Sequence, residues 1–421
     1  MNPMTSQVRD RLASKVDESL PRLIATIQKL VGVASPNPPS DTAEIAKTVG
    51  EVLSSIPDIE IEYVEPEPRI ISAVVRMRGA KPGRRLIFNG HLDTFPIGEH
   101  LGWTVPPLGG LLRDGRIYGR GVSDMKAGVA SSILAVALLA EHRDAWSGEV
   151  VLTLAADEEN MGSLGTGYML DHIPHASGDA NICGDVGSPS VVRFGEKGLY
   201  WIEVEATGAP AHGAHVHKGI NAIDRLRLAL DQVKSLETLP VSAPAAVVEA
   251  IRCAAPISES LSGQGEADVL GRVTVNIGTI EGGTSPNLVP VHAVARADIR
   301  LPVGLRTADL DKKLDQLLSP IEGVTWRVIR RFEASFTDPS HEIVRRVTDV
   351  AEEVLGKRPA VNMRVGGSDS RWYRMHHVPT VVFGPTPYNM GGPDEYVLVE
   401  EIRCVAKVHT LAAFDFLSSH A

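Results

Sequence analysis

The chain has 421 residues, 43% of them hydrophobic and 22% charged. That balance excludes wholesale disorder, collagen-like repeats and disulfide scaffolds, and the length predicts two domains with sizeable cores. Acids exceed bases by 52 to 42, a formal charge of −10, and without a Lys/Arg run there is no electrostatic footprint for nucleic acid or an anionic membrane.

Residues 1–15 are polar and mixed in charge, unlike a signal peptide. Apolar residues from Val8 to Ile27 recur at helical spacing, which predicts a helix over about Ser6–Leu30. The run SPNPPSDT (35–42) ends it, and a second helix is expected over Thr42–Ser54. Three strand-length runs follow, 59–65, 70–78 and 84–94, rich in β-branched residues and parted by turns. Asp124–Leu139 is read as helical, 148–159 as a buried strand and 180–185 as another. The apolar stretch Ala127–Ala140 is too short to span a bilayer and reads as a buried core helix.

Near Gly195 the texture changes. Strand 198–208, helix 221–236, strands 272–283 and 291–302, helix 307–320 and strand 324–334 form a βαββαβ order of ferredoxin-like type. Ala243–Ala267 reads as an insertion or long loop within it. After His341 come a helix to 355, a strand at 378–385 and a helix from Glu400. The expectation is an α/β fold, a mixed-sheet catalytic domain with helices on both faces (1–193 and 336–421), interrupted by an inserted α+β domain (194–335). Cys183, Cys253 and Cys404 lie far apart with no CxxC, which argues against a thiolate zinc site and for a reducing, cytoplasmic setting.

Four places carry ligand-type residues at predicted strand ends. In Gly90-His91-Leu92-Asp93-Thr94, residues i and i+2 share a face, so His91 and Asp93 point together. Asp124 follows a glycine-rich corner, where it either caps the next helix or is positioned to bridge cations. Asp157-Glu158-Glu159-Asn160 ends the most apolar strand; alternation places Glu158 and Glu159 on opposite sides, one for metal and one for proton transfer. Asp185 is the fourth, and strand ends are where open α/β sheets build their sites.

In order and spacing these residues resemble the metal-dependent exopeptidase and deacylase family of carboxypeptidase G, succinyl-diaminopimelate desuccinylase, acetylornithine deacetylase and aminoacylase. The likeness covers nearly the whole chain: GHLDT, the block 103–128 ending in GRGVSDMKAG, DEE, AHGAHVHKGINAI (211–223), GGTSPNLVP (282–290), ADIR (297–300) and GGSDSR (366–371). The resemblance implies that His91 and Asp185 bind one metal, Asp124 bridges, Glu159 binds a second metal, Asp93 orients His91, and Glu158 is the general base. It implies a lid and homodimerisation domain whose His212 reaches the partner subunit's active site. Asn287, Arg300, Gly367 and Ser368 would hold a small carboxylate substrate or line its pocket. Alternatively, Arg300 is an ordinary ion pair and Gly366-Gly367 a tight turn.

One position departs from the family pattern. Its last metal-ligand His stands four residues before the Glu of a PDEY-type motif; here Pro393-Asp394-Glu395-Tyr396 is present and the position is Gly391. Three readings follow: a mononuclear site at His91, Asp124 and Asp185, with Glu159 turned inward as an option, a vacancy filled weakly by Asn389, Tyr388 or water, or a non-catalytic relative. Retention of every other acid favours the first, because one ion suffices to acidify a water. One His among carboxylates suits Zn or, slightly better, Mn. The reaction expected is C–N cleavage of an amide, N-acyl amino acid or dipeptide. The alternative is displacement of the amino group of a nitro-substituted aminobenzoate, as in the family's aminohydrolase branch. Phe95, Trp103, Trp372 and Tyr373 are aromatic candidates for a substrate pocket, with core packing the expected role of each.

Overall fold

The computed structural model describes residues 3–98 and 102–418. The chain divides into two compact units, one of residues 1–194, 337–362 and 368–421, the other of residues 195–336 and 363–367.

The first unit is built on a mixed sheet in the strand order 60–67, 70–78, 149–155, 85–91, 180–183, 380–382, 191–196. Strand 85–91 runs parallel to both 149–155 and 180–183, and 380–382 runs parallel to 180–183. His91 pairs in register with Ala155, and Phe88 with both Leu152 and Ile182. The C-terminal ends of three parallel strands therefore open at one edge, carrying His91, the 157–159 acids and Asp185. Helix Ala127–Ala140 is buried over its entire length and packs on helix Val399–Ser418, as an all-round apolar helix must. Glycine permits closer approaches still. A Cβ at Gly128 would overlap the Gly184 carbonyl oxygen, and one at Gly384 the Asp185 carbonyl oxygen, so the chain bearing Asp185 is gripped from both sides.

The second unit is a four-stranded antiparallel sheet in the order 274–282, 292–301, 198–207, 324–332. Leu226, Ala229 and Val233 of helix Ala222–Lys234 and Leu310, Leu314 and Leu318 of helix Thr307–Leu318 bury against Ile202, Val204, Ala295 and Ile299. Asn221 caps the first helix, accepting from the N–H groups of Ile223 and Asp224.

Several expectations need correction. The first helix is two, Pro3–Glu18 and Leu20–Val31, because Pro21 fits a first turn but not a helix interior. Asp124 does not cap a helix: Val122–Lys126 is an irregular turn, and regular helix starts at Ala127. Glu158 and Glu159 lie in a short 3-10 turn, Glu158–Asn160, so strand alternation does not separate them. The supposed loop at 243–267 is mostly helix, Ala245–Ser262, followed by Glu266–Gly271. Its buried positions Val247, Ile251, Ala254 and Ser258 keep helical spacing, while Gly263 and Gly265 mark the break.

Candidate metal centre

His91 is the last residue of its strand, Asp124 stands in the turn before the buried helix, and Glu159 in the turn after strand 149–155. One potential ligand atom from each lies within 4.8 Å of the others. His91 Nδ1 is 2.9 Å from the Asp93 carbonyl oxygen, and Nε2 is 3.0 Å from Asp124 Oδ1. If Nδ1 donates to the carbonyl, Nε2 presents a lone pair to a carboxylate oxygen, an arrangement that only a shared proton or a cation satisfies. Burial opposes a charged His91, yet Asp124 and Asp93 raise its pKa well above the ordinary value. Glu159 Oε1 is a buried acceptor without a hydrogen-bond donor. Burial, reinforced by Asp124, raises its carboxyl to about 10. An orphaned carboxylate oxygen converging on an imidazole and a second carboxylate fits a divalent cation.

Asp93 ties this group together. Its fully buried carboxylate lies 3.5 Å from His91 Nδ1 and accepts from Asn37 Nδ2 at 2.8 Å. It also accepts from the backbone N–H groups of Glu158 at 3.2 Å and Glu159 at 3.0 Å. Burial acts against its charge, but His91, Asn37 and the Glu159 N–H hold its pKa below the usual value. Asp93 thus holds the imidazole of one strand through its main-chain carbonyl and the acid-bearing turn of another through its carboxylate.

Glu158 points to the same buried region. Burial pushes its carboxyl up to about 8, against the pull of His91 and Arg371. Arg371 Nη1 lies 3.7 Å from Glu158 Oε1 and donates to the Ser368 carbonyl at 2.8 Å. Asp369, raised to about 7 by burial, accepts from the Thr166 hydroxyl at 2.7 Å. Asp185 is buried and accepts from the Val186 N–H at 2.6 Å. It stands outside the three-residue group while still raising the Glu158 pKa.

At Gly391 the loop is firmly built. Arg120 donates to the Gly391 carbonyl at 2.9 Å and to Glu395 at 2.8 Å. Glu395 in turn accepts from the N–H groups of Gly121 and Ser123 and from the Ser123 hydroxyl, pinning the turn that carries Asp124. Asp394 accepts from Thr104, and Tyr388 stacks on Tyr396 with ring centroids 4.7 Å apart. Gly391 has φ +72, a left-handed conformation that disfavours any side chain. The two suggested substitutes are engaged elsewhere, Asn389 with the Asp394 carbonyl and Tyr388 with Glu401.

In the second unit, His212 Nδ1 accepts from the Ala214 N–H at 3.1 Å, and the Gly213 N–H donates to the Asn287 carbonyl at 2.7 Å. The His212 and Asn287 loops therefore lie side by side. Arg300 is paired with Asp298 two residues away on its own strand, Nε to Oδ1 at 2.8 Å. Ser368 is fully buried, its carbonyl committed to Arg371; Gly367 falls at the junction between the units. Of the aromatic candidates, Tyr373 is buried with its hydroxyl on Thr153, Trp372 donates to the Met161 carbonyl, and Trp103 lies under Arg120. Phe95 is exposed.

Sequence reasoning missed Asn37, Asp369 and Arg371 as members of the site. Asn37 stood in a run read only as a helix stop. Asp369 and Arg371 were inside the GGSDSR block, where the charged pair beside a buried serine was the available signal.

A His–Asp–Glu group at parallel strand ends, its imidazole buried and its acids partly so, beside a second glutamate, is the arrangement of a metal-dependent hydrolase. The family model described as peptidase family M20/M25/M40 matches residues 87–415, and the chain belongs to that family. Succinyl-diaminopimelate desuccinylase of Rhodospirillum centenum is 27% identical over 348 residues, covering 81% of this chain and 83% of that protein. The enzyme of the same name from Parvibaculum lavamentivorans is 27% identical over 371 residues, covering 85% and 86%. Among solved structures, an M20 family metallo-carboxypeptidase from Sulfolobus solfataricus superposes with a TM-score of 0.78 at 19% identity, over 95% of this chain and 100% of that one. A tripeptidase from Staphylococcus aureus gives 0.75 at 16%, over 95% and 99%. The chain is accordingly a divalent-metal-dependent hydrolase of C–N amide bonds, with a mixed α/β fold like that of its solved M20 neighbours.

Proposed function

We propose that this enzyme cleaves the C–N bond of a small carboxylate-bearing substrate, an N-acyl amino acid or dipeptide, at a site holding one Mn or Zn ion. The observation that carries this reading is the convergence of His91, Asp124 and Glu159 into one group while Gly391 offers no ligand atom. A divalent ion there supplies Lewis acidity and an acidified water at neutral pH. Glu158 takes the proton from the attacking water and returns it to the departing nitrogen. Asp93 holds both His91 and the Glu158 backbone in place, and Arg371 steadies the Glu158 carboxylate. His212, reaching in a dimer into the other subunit's active site, opposes the developing negative charge there, its Nε2–H free to donate because Nδ1 already accepts from Ala214. Asn287, Gly367 and Ser368 are assigned to the substrate carboxylate on the family resemblance, and Arg300 joins them only by giving up its ion pair with Asp298. A homodimer joined through the lid domain and a cytoplasmic setting complete the reading, the latter supported by three free thiols.

A second reading, displacement of an activated aminobenzoate's amino group with release of ammonia, is favoured by the exposed Phe95 ring next to Gly391. Metal analysis of the purified protein tests the first point: about one ion per chain is expected, and two would overturn it. A screen of N-acyl amino acids, dipeptides and aminobenzoates, scored for free amine against ammonia, separates the two reactions.

A further inference from the structure

The turn that carries both glutamates ends on a strained residue. After Glu158–Asn160, the Met161 N–H donates to the Glu158 carbonyl at 2.6 Å and the Gly162 N–H to the Asp157 carbonyl at 2.6 Å. That closure puts Met161 at φ +80, a left-handed backbone that a residue with a side chain adopts only at a cost. Asn or Asp could offset the cost by bonding the local backbone, but a thioether cannot. Strain of this kind persists only where the surrounding structure holds it.

The hold comes from the short helix Ser370–Met375 and the residue before it. Trp372 Nε1 donates to the Met161 carbonyl at 3.0 Å, across 211 positions of sequence. Asp369 accepts from the Thr166 hydroxyl at 2.7 Å and so lies against the same loop. A Cβ at Gly162 would overlap Asp369 Oδ1 and stand 2.9 Å from the indole nitrogen. One at Gly167 would stand 3.0 Å from Trp372 Cη2. The loop is thus pressed onto these two side chains, with glycine at both points of closest approach.

We infer that Trp372 is a positioning residue: its indole N–H locks Met161 in the left-handed conformation and so fixes where Glu158 and Glu159 point. The inference rests on the reading of Glu159 as a metal ligand and Glu158 as the base. Without that N–H, Met161 relaxes and the turn is closed in only a fraction of the molecules. Apparent metal affinity then falls in proportion to that fraction. Phenylalanine at 372 keeps a ring beside Gly167 and removes only the donor.

The test uses the full-length protein, with Mn alone as the probe, titrated against a competing chelator. Trp372→Phe is expected to weaken Mn binding about five- to tenfold, the range a single hydrogen bond contributes. Met161→Gly removes the strain, so adding Trp372→Phe to that variant should change Mn affinity by less than about twofold. A tryptophan that served packing alone would lose the same affinity with either residue at 161. That result, or an unchanged affinity in the single variant, overturns the inference. Amide exchange of the metal-free protein reads the turn independently: the Met161 and Gly162 amides should exchange about five- to tenfold faster in Trp372→Phe. Unchanged exchange overturns the inference as well. Faster exchange in that variant, with no Mn bound by the wild-type protein, leaves the lock standing and sinks the metal reading instead, so the two failures are told apart.

Discussion

Two neighbouring parts of the first unit answer the loss of a ligand in opposite ways. In the His91–Asp124–Glu159 group, charges crowd together with an acceptor left over. In the Gly391 loop the carboxylates of Glu395 and Asp394 and the Gly391 carbonyl all accept from donors, although Arg120 Nε is itself left without a partner among the described residues. The first part crowds like charges around an unsatisfied acceptor, while the second matches its carboxylates to donors. A site decaying toward inactivity would be expected to loosen where its ligand disappeared. Here the loop's glutamate anchors the Asp124 turn through Gly121 and Ser123.

The largest effect should come from the proton-transfer group. Glu158→Gln is expected to lower kcat by about 10²–10⁴-fold with metal content unchanged, as read by elemental analysis beside steady-state rates. A variant that retains full activity would remove Glu158 from the mechanism. Next, Glu159→Gln should weaken metal retention, and Asp93→Ala should do so by about 10–100-fold through the loss of the support that orients His91. Titration against a competing chelator measures both.

The contrast also has a pH signature. In chelated protein, burial holds the Glu158 and Glu159 carboxyls near 8 and 10, above the ordinary 4.5. The folded state then carries more protons than the unfolded one between these values. Stability should be greatest below about 4.5 as far as these two groups are concerned, and should decline as the pH rises through their folded values. Saturating Mn should flatten that decline, which thermal melts across pH 5 to 9 would show. The loop has the opposite sign: Thr104 holds Asp394 below its usual value, so its contribution is lost only on acidification. The smallest effect is expected at Gly391→His. Its left-handed backbone makes the change cost about 1–2 kcal/mol, so melting temperature falls modestly, and the metal count rises above one only if the loop relaxes to aim the new imidazole inward.

Much of this was legible in the chain. The 70–78 strand was read to its ends because paired β-branched residues and flanking turns agree, and GHLDT and DEEN marked the strand ends from their letters alone. Helix 245–262 was missed because Ala, Ser and Gly richness masked its four-residue spacing. Asn37 and Arg371 were missed as site residues for a different reason: their partners Asp93 and Glu158 lie 56 and 213 positions away in sequence, and only the folded sheet brings them together. The left-handed turn at Gly391 is likewise a backbone property that the letter G permits but does not announce.

The buried Asp93 carboxylate has one more consequence. Because Asp93 bonds the imidazole at the end of one strand through its carbonyl and two amides of the turn that ends another through its carboxylate, His91 and Glu158 are coupled like two tools on a single handle. Small breathing motions of the sheet edge would carry them together and preserve their separation, so the spacing that proton transfer requires is insulated from the flexing of the surrounding scaffold.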